Sequence, residues 1–404
     1  MKILHTADWH LGKRLEQYER TEEHQDFLNW LLRTLDEQQI DVLIIAGDIF
    51  DSGSPSNTAL EQYYSFLRKV KDTCCREVII IGGNHDSIST LNAPRVLLKY
   101  FNVHIIGGVP EEFTEQIIPI RDTNGETALV ICAVPFLRDK DIRLSIPGET
   151  TEERELRIKQ GIYNHYNRFI EHIAAYKAAG IPVIATGHLF AAGSSTSDSE
   201  KEIHVGNLGQ VAGDLFPREF DYIALGHIHR PQMVNKLAHI RYSGSPIPLS
   251  FSESDNTKQV IILEFVKGAL LKIEEYEVPG TRKLIRIKGD LDSVITKLGK
   301  ITDPGFPYPA WVEIQLETDV YIPDLEEQLK EYSHDFIERF FIRQIKKHVT
   351  ETLEQHTDEA LQLTDLNPKE VFLKRCQAEF GEEDYSELLS MYEEVLEYMM
   401  QKED

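Results

Sequence analysis

The sequence predicts a layered α/β fold, because strand patterns alternate with amphipathic helix patterns from residue 1 to about residue 280. Unbroken apolar runs at 42–46, 78–81 and 222–225 indicate buried strands. Each run ends at a glycine, and side chains that can bind a metal or move a proton follow it. Ligands of open α/β sheets bind at the carboxyl ends of strands, so we expect the functional site there.

The other elements of this first region follow from the same patterns. Further strands are expected at 1–7, 103–106, 128–134 and 181–186. Helices are expected at 20–39, 55–72, 90–100 and 151–179. Residues 260–265 and 271–277 are predicted to form an antiparallel hairpin, with Lys267-Gly268 at its turn.

Pro279-Gly280 is the predicted end of the first domain (1–279). A small βαβαβ domain (280–345) should follow, with strands at 284–287, 311–316 and 336–342 and helices at 291–298 and 323–332. The polar stretch 346–365 resembles a linker, and 367–380 and 384–401 predict a helical hairpin with an apolar stripe on each helix. The last region (346–404) is therefore expected to dock on a partner.

Composition narrows the class of protein. The chain is 41% hydrophobic and 27% charged, which is typical of a globular protein. Its four cysteines form no Cys-x-x-Cys pair, so we expect reduced structural thiols. No apolar run is as long as a membrane span and the first residues enter a strand directly, so we expect a cytoplasmic protein.

The net charge of −24 argues at first sight against a nucleic-acid partner. However, residues 350–404 contain 16 acidic and 4 basic side chains, so half of the excess (−12) lies in this last region. Net charge therefore does not decide the partner.

Five strand ends carry side chains of the kind that ligate metals. In order these are Asp8 and His10; Asp48; Asn84, His85 and Asp86; His188; and His227 and His229. Histidine nitrogens with carboxylate and amide oxygens suit manganese, iron or zinc, and enough ligands are present for two ions. Asp48 stands alone at its strand end, which makes it the best candidate for a bridging carboxylate.

Each group has a simpler explanation when it is taken alone. His188 could be a structural core histidine, His227 and His229 could point to opposite sides of a strand, and Asp8 could cap a helix. Their occurrence at successive strand ends favours a common metal site instead.

These motifs, from Asp8-Trp9-His10 to Gly226-His227-Ile228-His229, resemble those of the calcineurin-like metallophosphoesterases, in the same order. Residues 5–13, 47–55 and 243–251 resemble motifs of one branch of that superfamily. The similarity to this branch covers nearly the whole chain. The members of this branch are nuclease subunits of bacterial complexes that process DNA ends and hairpins. The resemblance implies a β-sandwich flanked by helices, with the small domain as a cap.

The resemblance also implies roles for the ligands. One ion, with Mn²⁺ expected, would be held by Asp8, His10, Asp48 and His229, and the other by Asp48, Asn84, His188 and His227. Two cations would generate hydroxide from a shared water and neutralise the phosphodiester under attack. His85 would assist at the scissile phosphate, with Asp86 orienting its ring.

Other members of the superfamily fit less well. Ser/Thr protein phosphatases carry Asp-Arg-Gly where this chain has Asp51-Ser52-Gly53, and purple acid phosphatases place a tyrosine ligand where Ile49 and Phe50 stand. Secreted nucleotidases would need a signal peptide. A docking scaffold with a degenerate site remains an alternative, although the complete ligand set favours an enzyme.

The resemblance implies three kinds of partner. The C-terminal helices (367–401) would bind the coiled-coil base of an SMC-like ATPase, and the helices after Pro55 and Thr90 would form a homodimer within a heterotetramer. Double-stranded and hairpin DNA would be the substrate, at the nucleoid. Basic side chains near the strand ends could contact its phosphates: Lys13, Arg14, Arg20, Arg138 and Arg230.

Overall fold

The computed structural model describes residues 1–142, 150–191, 216–303, 305–319 and 322–345. The chain divides into two compact units. The first comprises Met1–Leu316 and Ile322–Arg343, and the second comprises Glu317–Tyr321 and Gln344–Asp404. The predicted linker and the two predicted C-terminal helices lie outside the described residues.

In chain order the strands are β1 (Lys2–Thr6), β2 (Arg14–Leu15), β3 (Tyr18–Glu19), β4 (Val42–Ala46), β5 (Glu77–Ile81), β6 (Val103–Ile106), β7 (Ile117–Arg121), β8 (Thr127–Cys132), β9 (Val183–His188), β10 (Tyr222–Gly226), β11 (Gln232–Val234), β12 (Leu237–Tyr242), β13 (Gln259–Val266), β14 (Ala269–Glu277), β15 (Arg282–Gly289), β16 (Tyr308–Glu317) and β17 (Ile337–Ile345). Several of them, such as β4, β5 and β10, are buried apolar runs that end at a glycine, as the sequence predicted. The predicted hairpin is confirmed as β13–β14, and its turn residues Lys267 and Gly268 both adopt positive φ angles (51° and 81°).

Most of these strands form two sheets of six within the described residues. The first has the order β14-β13-β1-β4-β5-β6, and the second has the order β11-β12-β10-β9-β8-β7. The central strands of each sheet are parallel, so their carboxyl ends meet at one edge. β7, β11 and β12, which the sequence did not predict, extend the second sheet at its two sides.

The sheets pack face to face, and alternation along each strand explains why the runs are entirely apolar. In β4, Val42 and Ile44 face the opposite sheet, whereas Leu43 and Ile45 face the helices of the outer layer. Burial on both faces requires an apolar residue at every position. A second helical layer covers the other sheet, which confirms the expected β-sandwich flanked by helices.

The helices are α1 (Thr21–Glu37), α2 (Asn57–Val70), α3 (Ile88–Asn92), α4 (Arg95–Lys99), α5 (Asp139–Ile142), α6 (Thr151–Ala178), α7 (Leu291–Leu298) and α8 (Leu325–Lys330). The predicted helix at 90–100 is wrong as a single element, because Pro94 separates α3 from α4. Proline lacks the N–H that a continuous helix needs. α2 begins after Ser56 rather than at Pro55, and the Ser56 side chain accepts a hydrogen bond from the Ala59 amide.

The small βαβαβ arrangement appears as predicted, in the order β15-α7-β16-α8-β17. Its strands form a three-stranded sheet with β16 in the middle, and β15 and β16 are parallel. α7 and α8 contribute Val294, Leu298, Leu325 and Leu329 to its apolar core.

The small sheet contacts the sandwich through charged and aromatic side chains. Arg282 Nε donates to Glu23 Oε1 on α1 (2.9 Å), and Tyr308 Oη donates to Asp26 Oδ2 (2.8 Å). The β2–β3 hairpin adds an aromatic contact, because Tyr18 packs against Trp311 and Phe341, with ring centroids 5.9 and 5.7 Å away.

His5 joins the two sheets in the middle of the sandwich. Its Nε2 lies 3.2 Å from the Leu225 carbonyl oxygen and its Nδ1 lies 3.1 Å from Tyr222 Oη, an arrangement that suits a neutral ring. Burial lowers the pKa of His5 from 6.5 to about 3.

Because unfolded His5 takes up a proton near pH 6.5 and folded His5 does so only near pH 3, its contribution to stability falls as the pH drops through this window. At pH 5 the resulting loss of unfolding free energy is about 2 kcal/mol. Urea unfolding at pH 7 and pH 5 should show that His5→Gln loses less stability on acidification than wild type does. His172→Gln, at an exposed position, should retain the wild-type difference.

Candidate metal centre

The predicted metal ligands meet where the carboxyl ends of the two sheets come together. The loop after β1 runs beside the loop after β4, since Asp8 N donates to the Gly47 carbonyl (3.0 Å) and His10 N donates to the Asp48 carbonyl (3.0 Å). Across the sandwich, the His227 amide donates to Asp8 Oδ1 (2.8 Å). These main-chain contacts bring side chains from both sheets into one buried cluster.

One part of the cluster contains Asp8, His10 and His229, whose potential ligand atoms lie within 4.8 Å of one another. All three residues are buried. The His10 and His229 rings meet edge to face, with centroids 5.0 Å apart.

A second part contains Asp8, Asp48 and His188, whose potential ligand atoms also lie within 4.8 Å of one another. His188 Nε2 lies 3.3 Å from Asp48 Oδ2 and 2.9 Å from Asn84 Oδ1, so three potential ligand atoms converge. Asp48 Oδ2 also lies 3.5 Å from His10 Nε2. It therefore stands between the histidines of the two parts, as a bridging carboxylate would.

Three of these histidines have their Nδ1 atoms engaged by an oxygen behind the ring. The acceptor is the Ala46 carbonyl for His188 (2.9 Å), Asp51 Oδ1 for His10 (3.2 Å) and Glu253 Oε1 for His229 (3.2 Å). Such contacts fix the ring orientation and present Nε2 to the metal, as is usual for ligating histidines.

Asp51 and Glu253 were not among the side chains that the sequence selected. Asp51 lies within the 47–55 motif, where it was used only to distinguish this chain from the Ser/Thr protein phosphatases. Glu253 lies two residues beyond the 243–251 motif. Each forms a further ion pair, with Lys13 (3.1 Å) and Lys258 (2.5 Å) respectively. A carboxylate near a strand-end motif is the only sequence signal that could have identified them.

His85 and Asp86 lie beside the cluster and contact different groups. His85 Nδ1 lies 2.7 Å from the Asp51 carbonyl oxygen, and the His85 ring meets His10 edge to face at 4.7 Å. Asp86 accepts main-chain hydrogen bonds from Ile49, Phe50 and Gly83 (3.2, 3.1 and 2.9 Å). The Nδ1 contact is thus with Asp51, whereas the resemblance had implied that Asp86 orients this ring.

Two atoms of the cluster are suited to contact a cation. Asp8 Oδ2 and His10 Nε2 are buried and have no hydrogen-bond partner among the described residues. Buried polar atoms are normally paired, because an unpaired one loses the hydrogen bonds that water would have made. A metal ion would satisfy both atoms.

The backbone is also strained at the ligands. Asp8, His10, Asp48 and His227 have positive φ angles of 55°, 48°, 49° and 101°. Residues other than glycine adopt such angles at a cost of about 1–3 kcal/mol each, and they tend to do so at functional sites. The fold thus holds four of the predicted ligands in unfavourable conformations.

Electrostatics within the cluster favour a bound cation. Burial raises the pKa of Asp8 to about 7. Burial alone would lower the pKa of His188, but the Asp48 carboxylate outweighs it and raises the value to about 9. Burial, reinforced by His188, lowers the pKa of His227 well below its usual value, which keeps this ring neutral as a ligand requires.

The cluster therefore fits divalent metal ions. It combines imidazole nitrogens with carboxylate and amide oxygens, it is buried, and it contains two unsatisfied ligand atoms. The thiols of Cys74, Cys75 and Cys132 are free and lie outside the cluster.

The structure contradicts one of the suggested DNA contacts. Arg20 is buried, where its guanidinium contacts Glu23 and the Pro248 carbonyl, so it is not available to a phosphate. The pattern of α1 did not reveal this, because an arginine at the start of a helix is usually exposed. Arg230 is exposed and Arg138 is half-buried.

Known proteins share these features. Residues 1–231 match the family model of the calcineurin-like phosphoesterases, and residues 280–380 match the type 5 capsule protein repressor C-terminal domain. The SbcD component of the SbcCD nuclease of Escherichia coli K12 is 37% identical over 394 residues, covering 96% of each chain. Its namesakes in Bacillus subtilis 168 (32% over 322 residues, 78% of this chain and 79% of the relative) and Rhodobacter capsulatus (35% over 277 residues, 67% of each) are also similar.

No helix among the described residues is both long and apolar enough to cross a membrane.

Gly83→Ala should impair metal binding. A Cβ at this position would lie 2.1 Å from Asp48 Oδ1 and 2.4 Å from the Asp48 amide, so the carboxylate would have to move. We expect Mn²⁺ affinity, measured by calorimetry, to fall on the order of 10- to 100-fold, as it does when a ligand loses its support. Gly299→Ala is the matched control, because the nearest atom beyond the adjacent residues would be the Ile295 carbonyl oxygen, 3.6 Å from the new Cβ. Unchanged affinity of a folded Gly83→Ala protein would contradict the prediction.

Proposed function

The chain belongs to the calcineurin-like phosphoesterases and, within them, to the SbcD nuclease family, and we propose that it is a metal-dependent DNA nuclease. It would act as an exonuclease on double-stranded ends and as an endonuclease on single strands and hairpins, in DNA replication, recombination and repair. The observation that carries this proposal is the buried cluster around Asp8, Asp48 and His188, with its unsatisfied ligand atoms.

We propose that the cluster holds two Mn²⁺ ions. The first would be bound by Asp8, His10, Asp48 and His229, and the second by Asp48, Asn84, His188 and His227. The position of Asp48 Oδ2, 3.5 Å from His10 Nε2 and 3.3 Å from His188 Nε2, supports its role as the bridge. When bound, divalent cations supply Lewis acidity and a nucleophile at neutral pH.

His85 is the proposed proton donor. Its Nδ1 contacts the Asp51 carbonyl, which can only accept a hydrogen bond, so Nδ1 carries hydrogen and proton transfer falls to Nε2. From Nε2 a proton could pass to the sugar oxygen that leaves when the phosphodiester breaks. Asp86 would assist indirectly, because its hydrogen bonds to Ile49, Phe50 and Gly83 fix the loops that carry Asp48 and His85.

We propose that the chain works with an SbcC-type, SMC-like ATPase in the cytoplasm, at the nucleoid. The name of the relatives' complex, SbcCD, includes a second component, and the apolar stripes that the sequence predicts for residues 367–401 would suit packing against a partner. In this proposal 1–279 is the nuclease domain, 280–345 the capping domain and 346–404 the linker and docking hairpin.

We also propose a homodimer of the chain within a heterotetramer. α4 exposes Val96 (72%) and Leu97 (63%), and Tyr100 directly after it is 84% exposed. Tyr64 on α2 is also exposed. Exposed apolar side chains that are close together in the chain, as those of α4 and Tyr100 are, indicate an interaction surface. All four residues lie on or directly after the helices expected to form the dimer.

Linear double-stranded DNA should be shortened by the purified chain with Mn²⁺ but not after EDTA treatment. His85→Gln should retain its bound metal yet lose about 10²- to 10⁴-fold of the hydrolysis rate, since this is the usual contribution of a general acid. If wild type leaves DNA intact, the assay is repeated with the partner ATPase and ATP. Intact DNA there too, with metals bound, would refute the nuclease proposal, and loss of metal from His85→Gln would refute its role as acid.

Deletion of residues 367–404 should abolish binding to the ATPase, because it removes both of the predicted apolar stripes. Mn²⁺-dependent nuclease activity should persist, since the metal cluster lies within residues 8–229. Analytical ultracentrifugation should show that the truncated chain is still a dimer. Simultaneous loss of ATPase binding and metal-dependent activity would indicate a role in folding instead of docking.

A further inference from the structure

Lys258 is a buried lysine next to the metal cluster. It is 5% exposed and lies immediately before β13. Among the described residues, its Nζ donates to the His229 carbonyl (3.2 Å), to Ser245 Oγ (2.8 Å) and to Glu253 Oε2 (2.5 Å). A buried ammonium group is costly unless it is paired and hydrogen-bonded, and Lys258 meets both conditions.

Glu253 completes the arrangement. It is fully buried at the end of a short 3₁₀ turn, and its Oε1 atom contacts His229 Nδ1 (3.2 Å). Its Oε2 atom accepts from Ser245 Oγ and from the Leu249 amide (both 3.2 Å), in addition to Lys258. Oε1 therefore contacts the histidine ring, whereas Oε2 contacts the groups that hold the carboxylate in place.

His229 is consequently held at two points by one ion pair. Glu253 contacts the ring and Lys258 contacts the main-chain carbonyl of the same residue. Because Glu253 and Lys258 also contact each other and Ser245, the ring cannot turn without disturbing the whole group. Ordinary core packing does not require a buried ion pair, so this one calls for another explanation.

We propose that Glu253 and Lys258 are positioning residues that set the orientation of His229 as a metal ligand. The inference rests on the proposed metal-dependent function. Glu253 accepts a hydrogen bond from Nδ1 of His229, which leaves Nε2 to the metal, and Lys258 holds Glu253 in place through its direct contact with that carboxylate and through Ser245. Neither residue would touch the metal or the DNA.

Mn²⁺ binding to the full-length chain, stripped with EDTA and titrated by calorimetry, tests this role without any DNA. Lys258→Met should weaken binding at one site on the order of 10- to 100-fold, as expected for loss of support behind a ligand. Nuclease activity should fall at limiting Mn²⁺ and recover at saturating Mn²⁺, because positioning residues affect metal occupancy and not the chemical step. Lys258→Arg should restore much of the affinity.

Matched controls come from an exposed ion pair on β14, between Lys272 and Glu274. Lys272→Met and Glu274→Gln remove the same charges at the surface and should leave Mn²⁺ affinity unchanged. Two further variants guard against misfolding. Glu253→Gln keeps the side-chain shape, and Glu253→Leu/Lys258→Met removes both buried charges together, which proteins often tolerate. Both should fold, by circular dichroism, and bind Mn²⁺ weakly.

Wild-type affinity in any folded variant of Lys258 or Glu253 other than Lys258→Arg would overturn the inference, as would failure of all three disruptive variants to fold. The proposed nuclease activity is judged separately. If wild type binds Mn²⁺ through this support but leaves DNA intact, the nuclease proposal fails and the positioning role stands. If wild type cleaves DNA and the variants bind Mn²⁺ normally, the positioning role fails and the nuclease proposal stands.

Discussion

The metal cluster depends on a contact between the two sheets of the sandwich. His188, at the end of β9, places Nδ1 2.9 Å from the carbonyl oxygen of Ala46, at the end of β4. Gly226 makes this approach possible, because a Cβ there would lie only 1.9 Å from the same carbonyl oxygen. This close approach allows Asp48 Oδ2 from one sheet and His188 Nε2 from the other to lie 3.3 Å apart, as the proposed shared cation requires.

The oxygen atoms behind the histidine rings explain how these polar groups remain buried in fixed positions. Isolated buried charges are unfavourable, and here three of the histidine rings are backed by an oxygen that is itself held in place. Asp51 supports His10 through its side chain and His85 through its main chain, so one residue links a predicted metal ligand to the predicted proton donor. Displacement of Asp51 would therefore disturb both the proposed metal binding by His10 and the proposed proton transfer from His85.

Much of the fold and the cluster could be predicted because strand burial and ligand chemistry are local properties of the sequence. Val42 to Ala46 are apolar at every position since both faces of β4 are covered, and Asp48 follows at the strand end where a ligand is expected. β11 and β12 were missed because they are short or partly exposed, and Pro94 divided a pattern that resembled one helix. Periodicity cannot reveal contacts between residues far apart in the chain. These include the contacts of Arg20 with Pro248, of Asp51 with His10, and of Glu253 and Lys258 with His229.

The β2–β3 hairpin has a mechanical consequence. It follows the His10 loop directly, and its Tyr18 ring is enclosed by Trp311 and Phe341, with the Arg339 guanidinium 3.8 Å above it. Phe341 and Arg339 belong to β17, a few residues before the C-terminal region begins. Tension applied along the chain at β17 would therefore be transmitted through this aromatic packing to the loop that carries His10, a predicted metal ligand.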